Sequence, residues 1–263
     1  MRSESEPNIG LAFRRARRVL GFPPVFRAHE DGLLAIGGDL SPERLLVAYA
    51  NGIFPWPDSE RSPIPWYCPS PRPVLIPGQV RVNRSLRRAV RRAPFTTTFD
   101  RGFPKVITCC ASVPRSEKGT WITPAMIKAY RRLYELGFAH SVEAWNGTTL
   151  VGGIYGVSLG AAFFGESMFT FESDASKIAL YALLQQLDAW QFLFLDCQMM
   201  TPLVRSLGAV EWSQHHFQSQ LRKALKADTK RGPWSALVST NLPTVRGSVA
   251  SDVPGRGWVG ESI

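Results

Sequence analysis

From residue 124 the chain repeats apolar positions at helical spacing: Met126, Ile127, Tyr130, Leu133 and Tyr134 share one side. Thr123 supplies an N-cap, Pro124 opens the first turn and Gly137 ends the helix. The same punctuation frames an earlier segment, with Ser41 and Pro42 before Leu45, Leu46, Ala48 and Tyr49, and Asn51-Gly52 as the stop. Between 84 and 92 the periodic feature is charge. Arg84, Arg87, Arg88, Arg91 and Arg92 fall on one helical face, and Leu86, Ala89, Val90 and Ala93 on the other. Farther on, "HSVEAW" and "TTLVGGIYGV" flank Asn146-Gly147, a strong hairpin signal. A second turn over Ser158–Gly160 leads into "AAFFGESMF", so three antiparallel strands are predicted in succession. "SDASKIALYALLQQLDAW" reads as a helix capped by Ser173 or Asp174, and "FLFLDCQ" as a short strand buried on both faces. "TPLVRSLGA" reads as a short helix, "VEWS" as a strand and "HHFQSQLRKAL" as a last helix.

These elements predict an α+β chain in two units. The proline-dense stretch "FPWPDSERSPIPWYCPSPRPVLIP" reads as the connection between them, with Trp56 and Trp66 pinned by rigid backbone. A small N-terminal domain is expected over residues 1–70 and a larger one over 71–226. From 227 to 263 the chain turns polar and rich in Gly, Pro, Ser and Thr, which predicts a disordered tail with Trp234 and Trp258 as local anchors.

Composition adds one unusual feature. Apolar and charged fractions of 44% and 20% are ordinary, but the net charge is +10. A basic surplus attracts polyanions, and an arginine face without a single acid points the same way. Among the four cysteines no C-x-x-C pair occurs, and Cys109 and Cys110 are adjacent, so a reducing, cytosolic compartment without structural zinc is expected. The basic start lacks the apolar core of a signal peptide, and Leu150–Gly165 is too short to span a bilayer. His29, His140, His215 and His216 do not cluster, so no metal is expected. No G-x-S-x-G elbow or phosphate-binding loop occurs, and glycines 152, 153, 156 and 160 lie in strands and turns, not at a strand-to-helix junction.

Hairpin strands, then a helix, then a strand is the order of GNAT-type acyltransferases, an analogy of topology alone. Coenzyme A users of that type cradle pyrophosphate on a glycine-rich strand-to-helix junction. Here the junction "TFESDASK" has no glycine and two acids, Glu172 and Asp174. An acyl donor other than a coenzyme A thioester is therefore expected. A coenzyme A–dependent N-acetyltransferase stands as the alternative, and a non-catalytic RNA-binding module as a third reading.

The ordered set "GLLAIGGDLSPERLL", "AYANGIFPW", "TWIT", "HSVEAW", "LVGGIYGV", "FFGESMF", "ASKIAL", "LDCQ" and "SLGA" resembles the leucyl/phenylalanyl-tRNA–protein transferases from about Phe22 to Leu225. The resemblance implies a small N-terminal domain followed by a GNAT-like acyltransferase domain, its mostly antiparallel mixed sheet flanked by helices. It implies transfer of leucine or phenylalanine, with methionine as a further donor, from aminoacyl-tRNA to proteins beginning with Arg or Lys. That marks the acceptor for N-degron proteolysis. The protein would be a cytoplasmic monomer without membrane attachment. The ester is already activated, so no cofactor is implied.

By the same resemblance, Asp196 and Gln198, alternating onto one face of a strand, are the catalytic pair. Asp196 would be an acid–base or positioning group, and Gln198 would engage the incoming amine. Glu166 joins them as an acceptor for the donor's α-amino group or sugar. Ile154, Phe163, Gly165, Met168, Leu183 and Leu187 would form the aminoacyl pocket, and Trp56 and Trp121 would hold the terminal adenosine. Arg84, Arg87, Arg88, Arg91 and Arg92 would hold the tRNA backbone. Taken alone, Asp196 reads first as a structural cap or pair and the pocket residues as ordinary core. Strict alternation puts Phe163 and Glu166 on opposite faces, so both serve one pocket only if Gly165 marks a bulge. The chain departs from the family pattern at Leu203, at Gln214 and His215, and at "WYCPSPR".

Overall fold

The computed structural model describes residues 21–92, 95–113, 120–238 and 259–262, with Arg92 and the last four described as backbone. Trp258 and the first twenty residues lie outside that range. The chain first builds a small antiparallel sheet from β1 (Leu33–Ile36), β2 (Phe54–Pro55) and β3 (Pro65–Tyr67), in the order β1-β3-β2. Between β1 and β2 runs α1 (Pro42–Tyr49). Ser41 Oγ accepts from the Arg44 N–H, and Pro42 opens the first turn.

The proline-rich stretch is more than a connection. It contains β2, β3 and β4 (Arg72–Leu75). Its prolines sit where a missing N–H does little harm: Pro65 opens β3, and Pro73 serves the ladder as the acceptor for the Cys197 N–H.

The main sheet has eight strands among the described residues. Beyond β4 these are β5 (Thr96–Phe99), β6 (Ala139–Asn146), β7 (Thr149–Leu159), β8 (Ala162–Thr170), β9 (Phe194–Asp196), β10 (Val210–Trp212) and β11 (Val259–Ser262). The order is β10-β4-β9-β8-β7-β6-β5, with β11 against β8. All pairs are antiparallel except β8–β9, which is parallel. Asn146-Gly147 turns the chain between β6 and β7, with Gly147 at φ +59°.

Helices cover both faces. On one side α1, α3 (Phe103–Ser112), α4 (Pro124–Glu135) and α7 (Gln214–Ala224) pack into a core with Trp66, Tyr155 and Phe164. On the other, α2 (Arg84–Arg92), α5 (Ala175–Ala189) and α6 (Pro202–Ser206) enclose a second core. The first core contains Leu45 and Tyr49 beside Phe103 and Tyr130, so it continues across the division expected at residue 70.

The tail expected from residue 227 does not begin there. Residues 228–238 dock on the sheet. Trp234 is fully buried and stacks on His140, ring centroids 3.9 Å apart at 8°. Its backbone N–H donates to Asp100 Oδ2 at 2.7 Å, and Thr229 Oγ1 accepts from the Gly160 N–H at 2.9 Å. Trp234, expected as a local anchor, finds an apolar seat that outweighs the ordering cost of its short flanks.

Candidate active site

Glu166 stands where the β7–β8 pairing slips. Gly156 pairs with Gly165 and Tyr155 with Ser167, so Glu166 is an extra residue in a β-bulge. The backbones are so close that a Cβ on Gly156 would come within 2.2 Å of the Phe164 carbonyl oxygen. The slip resets the alternation. Phe164 faces the first core and Phe163 the second, while past the bulge Met168 faces the second and Phe169 the first.

The bulge therefore lies beside Gly165, but its effect differs from the expectation. It swings Met168 round to the Phe163 face and leaves the Glu166 carboxyl on the opposite one, anchored by Tyr49 and Tyr130. Ile154, Phe163, Met168, Leu183 and Leu187 come together in the second core, each at most 2% exposed.

Glu166 is itself 1% exposed and fully engaged. Oε1 accepts from Tyr49 Oη at 2.6 Å and from Gln198 Nε2 at 2.7 Å, and Oε2 accepts from Tyr130 Oη at 3.0 Å. The two tyrosine hydroxyls also meet each other. Three oxygen–oxygen contacts thus close a ring: Tyr49 to Tyr130, and each tyrosine to the carboxyl. With both phenols donating to the carboxylate, their mutual contact has no proton of its own, and a proton on the carboxyl would let it close as a third hydrogen bond. Burial pushes Glu166 up to about 7 against the lowering pull of the hydrogen bonds from Tyr49, Tyr130 and Gln198, and the nearby Asp196 charge adds to the rise. Burial, and next the Glu166 charge, push both tyrosines well above their usual range, so they stay neutral donors.

Asp196 closes β9 and is completely buried. Arg72 grips it through two bonds, Nε to Oδ1 at 2.8 Å and Nη2 to Oδ2 at 2.9 Å. The guanidinium also donates to the Gly52 carbonyl at 2.9 Å and lies against the rings of Phe54 and Phe217. Asp196 Oδ1 further accepts the backbone N–H of Gln198 at 2.9 Å. Gln198 is not on the strand. β9 ends at Asp196, and Gln198 has φ +58° in the left-handed region. The expected alternation onto one strand face gives way to a tight turn clamped by Asp196, which swings the Gln198 amide back onto Glu166. With Nε2 committed to that carboxyl, Oε1 points the other way.

Trp56 and Trp121 come together from distant parts of the chain, ring centroids 6.5 Å apart at 80°, and both are half-buried. Tyr67 meets Trp56 edge-on at 5.9 Å. On α2, Leu86 and Ala89 are buried while Arg84, Arg87, Arg88 and Arg91 are exposed. The Arg92 side chain lies outside the described residues. Within the described residues no three metal-ligating side chains cluster, and no helix is long and apolar enough to cross a membrane.

The family model described as "Leucyl/phenylalanyl-tRNA protein transferase" matches residues 74–222, and that of its N-terminal domain matches 38–70. The "Leucyl/phenylalanyl-tRNA--protein transferase" of Myxococcus xanthus is 51% identical over 215 residues, 81% of this chain and 92% of the relative. That of Desulfatibacillum aliphaticivorans is 53% identical over the same coverage, and that of Syntrophobacter fumaroxidans is 47% identical over 249 residues, 94% and 96% of the two chains. The chain belongs to the leucyl/phenylalanyl-tRNA–protein transferase family.

In this transferase the site joins both matched segments. Tyr49 and Trp56 come from the first, Trp121, Tyr130, Glu166, Asp196 and Gln198 from the second, and Arg72 from the short stretch between them. Sequence reasoning missed Tyr49, Tyr130 and Arg72. Both tyrosines sit at core positions of amphipathic helices, where period alone explains them, and Arg72 lay in what read as a connection. A buried acid on β8 was the available signal, since such an acid needs donors.

Proposed function

We propose that this chain transfers leucine or phenylalanine from aminoacyl-tRNA to the N-terminal α-amine of proteins beginning with Arg or Lys, marking them for N-degron proteolysis. It works in the cytoplasm and as a monomer. The observation that carries the mechanism is the Glu166 ring, joined to Gln198 at the fork of the sheet. The parallel pair β8–β9 touches only over Ala162–Phe164 and Phe194–Asp196, and Glu166 and Gln198 lie just past those pairs. A fork at the one parallel pair supports a GNAT-like domain.

The chemistry needs a neutral amine beside an ester carbonyl. An α-amino group ordinarily titrates near 7.7–8.0, within about one unit of Glu166 at about 7. Gln198 Oε1 accepts an N–H of the incoming amine and aims its lone pair. The amine adds to the carbonyl, the bond to the ribose oxygen breaks, and the tRNA leaves with a free hydroxyl. The amine's surplus proton passes through the Glu166–tyrosine ring to the departing ribose oxygen, so the ring ends the reaction as it began. Asp196, with both oxygens held by Arg72, is a positioning residue that fixes Gln198. The leucine or phenylalanine side chain reaches past Gly165 to Ile154, Phe163, Met168, Leu183 and Leu187, a cluster on the face of β8 opposite the Glu166 carboxyl. Trp56 and Trp121 take the terminal adenosine, and Arg84, Arg87, Arg88, Arg91 and Arg92 lie along the tRNA phosphates.

Coenzyme A suits the site less well. Glu172 and Asp174 remain at the start of α5, where a pyrophosphate would have to sit, and Asp174 is paired with Lys177 at 2.7 Å. The test supplies labelled Leu-tRNA, Phe-tRNA or acetyl-coenzyme A with a peptide starting in Arg. Transfer from the charged tRNAs is expected, and transfer from acetyl-coenzyme A alone would reject the reading. Asp196→Ala and Glu166→Ala should each lower turnover at least about tenfold, and wild-type rates in both would remove their assigned roles.

A further inference from the structure

β8 carries two different neighbours along one edge. β9 covers Ala162–Phe164, and after the bulge at Glu166 the same strand is paired by β11, with Ser262 opposite Ser167 and Val259 opposite Thr170. β7 occupies the other edge throughout. The far part of the fork is therefore a backbone rail that begins one residue from Glu166. It is also buried: Ser167, Met168 and Phe169 are each at most 2% exposed. Amides in such a place need partners, so whatever leaves this rail must be replaced by another donor and acceptor set.

We propose that the Ser167–Thr170 edge is where the polypeptide acceptor lies as an added strand, and that β11 is its intramolecular competitor. This rests on the transfer reaction assigned above. The geometry favours a polypeptide because an extended main chain supplies the ladder that β11 now supplies, whatever its side chains. A transferase that acts on many proteins needs that indifference. Direction follows from the site. The acceptor's first residue must sit at Glu166 and Gln198 and the rest must run outward, parallel to β8, whereas β11 runs antiparallel to it. Four residues in that conformation reach about 13 Å along the rail. In a parallel pairing, alternate residues of the added strand turn both N–H and C=O toward the partner. Binding and transfer then require β11 to leave, so the apparent acceptor affinity is reduced by the fraction of molecules whose edge is free.

The test uses the full chain and a double variant, Gly260→Pro with Glu261→Pro. Adjacent prolines remove the ladder N–H of β11 whichever of the two faces β8. A chain ending at residue 238, which keeps the docked Trp234, is the second variant. With a hexapeptide beginning in Arg, both variants should show an acceptor KM at least about fivefold lower, as expected if β11 holds the edge about 80% of the time. The KM for Leu-tRNA should not change. Hexapeptides N-methylated singly at positions 2 to 4 should lose affinity in an alternating pattern. An unchanged acceptor KM in both variants, or a fall in the Leu-tRNA KM instead, overturns the proposal. Amide hydrogen exchange at Ser167–Thr170 separates it from the transfer reading. Protection by the peptide in the proline variant supports the rail even if no donor is used, and active transfer without that protection refutes it while leaving the reaction intact.

Discussion

Glu166→Gln tests the proton count directly. The ring of Tyr49, Tyr130 and Glu166 has three contacts and two phenolic protons. A glutamine amide supplies what the ionised carboxylate lacks. Its NH2 donates to Tyr130, and its oxygen accepts from Tyr49 and from Gln198. The variant is thus a permanent copy of the protonated ring. The size of the effect follows from the shift. Glu166 moves from 4.5 to about 7, and about 1.4 kcal/mol per unit makes that about 3 kcal/mol. The folded state binds the proton more tightly than the unfolded chain does. Its contribution to stability is therefore complete below about pH 4.5 and is lost as pH rises through about 7.

Urea denaturation at pH 5 and pH 8.5 reads this out. Glu143 is also pushed up to about 7, mainly by burial against hydrogen bonds from Ser141, Thr98 and the Gly102 N–H, so it tilts the profile the same way. The informative quantity is the difference between variant and wild type, from which the Glu143 contribution cancels. At pH 5 the two proteins should agree within about 1 kcal/mol, and at pH 8.5 the variant should be the more stable by about 3 kcal/mol. Its transfer rate should meanwhile fall at least about tenfold, because nothing in the ring can now take up a proton. Parallel stability profiles for variant and wild type would refute the proton count, whatever happened to the rate.

Three further outcomes follow from the geometry. Arg72→Met strands Asp196 as an unpaired buried charge and should cost about 3–5 kcal/mol by urea denaturation, with part of the loss recovered when Asp196→Asn is added; a double variant no more stable than Arg72→Met would show that the pair is not coupled. Trp56→Ala and Trp121→Ala should each weaken binding of an aminoacyl-adenosine by about 1–3 kcal/mol in calorimetry, and unchanged affinity in both would remove the adenosine assignment. Replacing Arg84, Arg87 and Arg88 with Ala should flatten the dependence of tRNA affinity on salt by up to about three units of log–log slope, and an unchanged slope would make that face ordinary surface.

How much of this could be read beforehand depended on whether the information was local. Capped helices such as Pro42–Tyr49 and Pro124–Glu135, and the Asn146-Gly147 turn, are written in short-range chemistry, and the structure has them where the spacing puts them. β5 went unread because "TTTF" is a short edge strand, and α3 went unread although Phe103, Val106, Ile107 and Cys110 keep the helical period behind Pro104. The proline-rich strands were hidden because proline vetoes a central strand only where its N–H is needed, and Pro73 is used as an acceptor. At the site, Glu166 stood out as a lone acid among apolar residues. Its donors did not, since Tyr49 and Tyr130 are 117 and 36 residues away in sequence.

That separation explains why the site spans two segments of the chain. A carboxyl that must change protonation near neutral pH needs burial to raise it and hydrogen bonds to keep it from rising too far. β8 supplies the burial alone. The bulge leaves Glu166 facing away from the core packed on α5 and toward helices α1 and α4, each of which brings one phenol. Arg72, between the two matched segments, ties Gly52 after α1 to Asp196 at the end of β9 and so fixes where Gln198 can stand. A movement of α1 relative to the sheet would therefore alter the proton affinity of Glu166 and the aim of Gln198 together. In the proposed mechanism the N-terminal segment thus contributes one of the two phenols on Glu166, and Trp56 for the adenosine. A chain lacking it would leave Glu166 with Tyr130 and Gln198 as its only donors among those described, and would lose the closed ring on which the exchange of one proton depends.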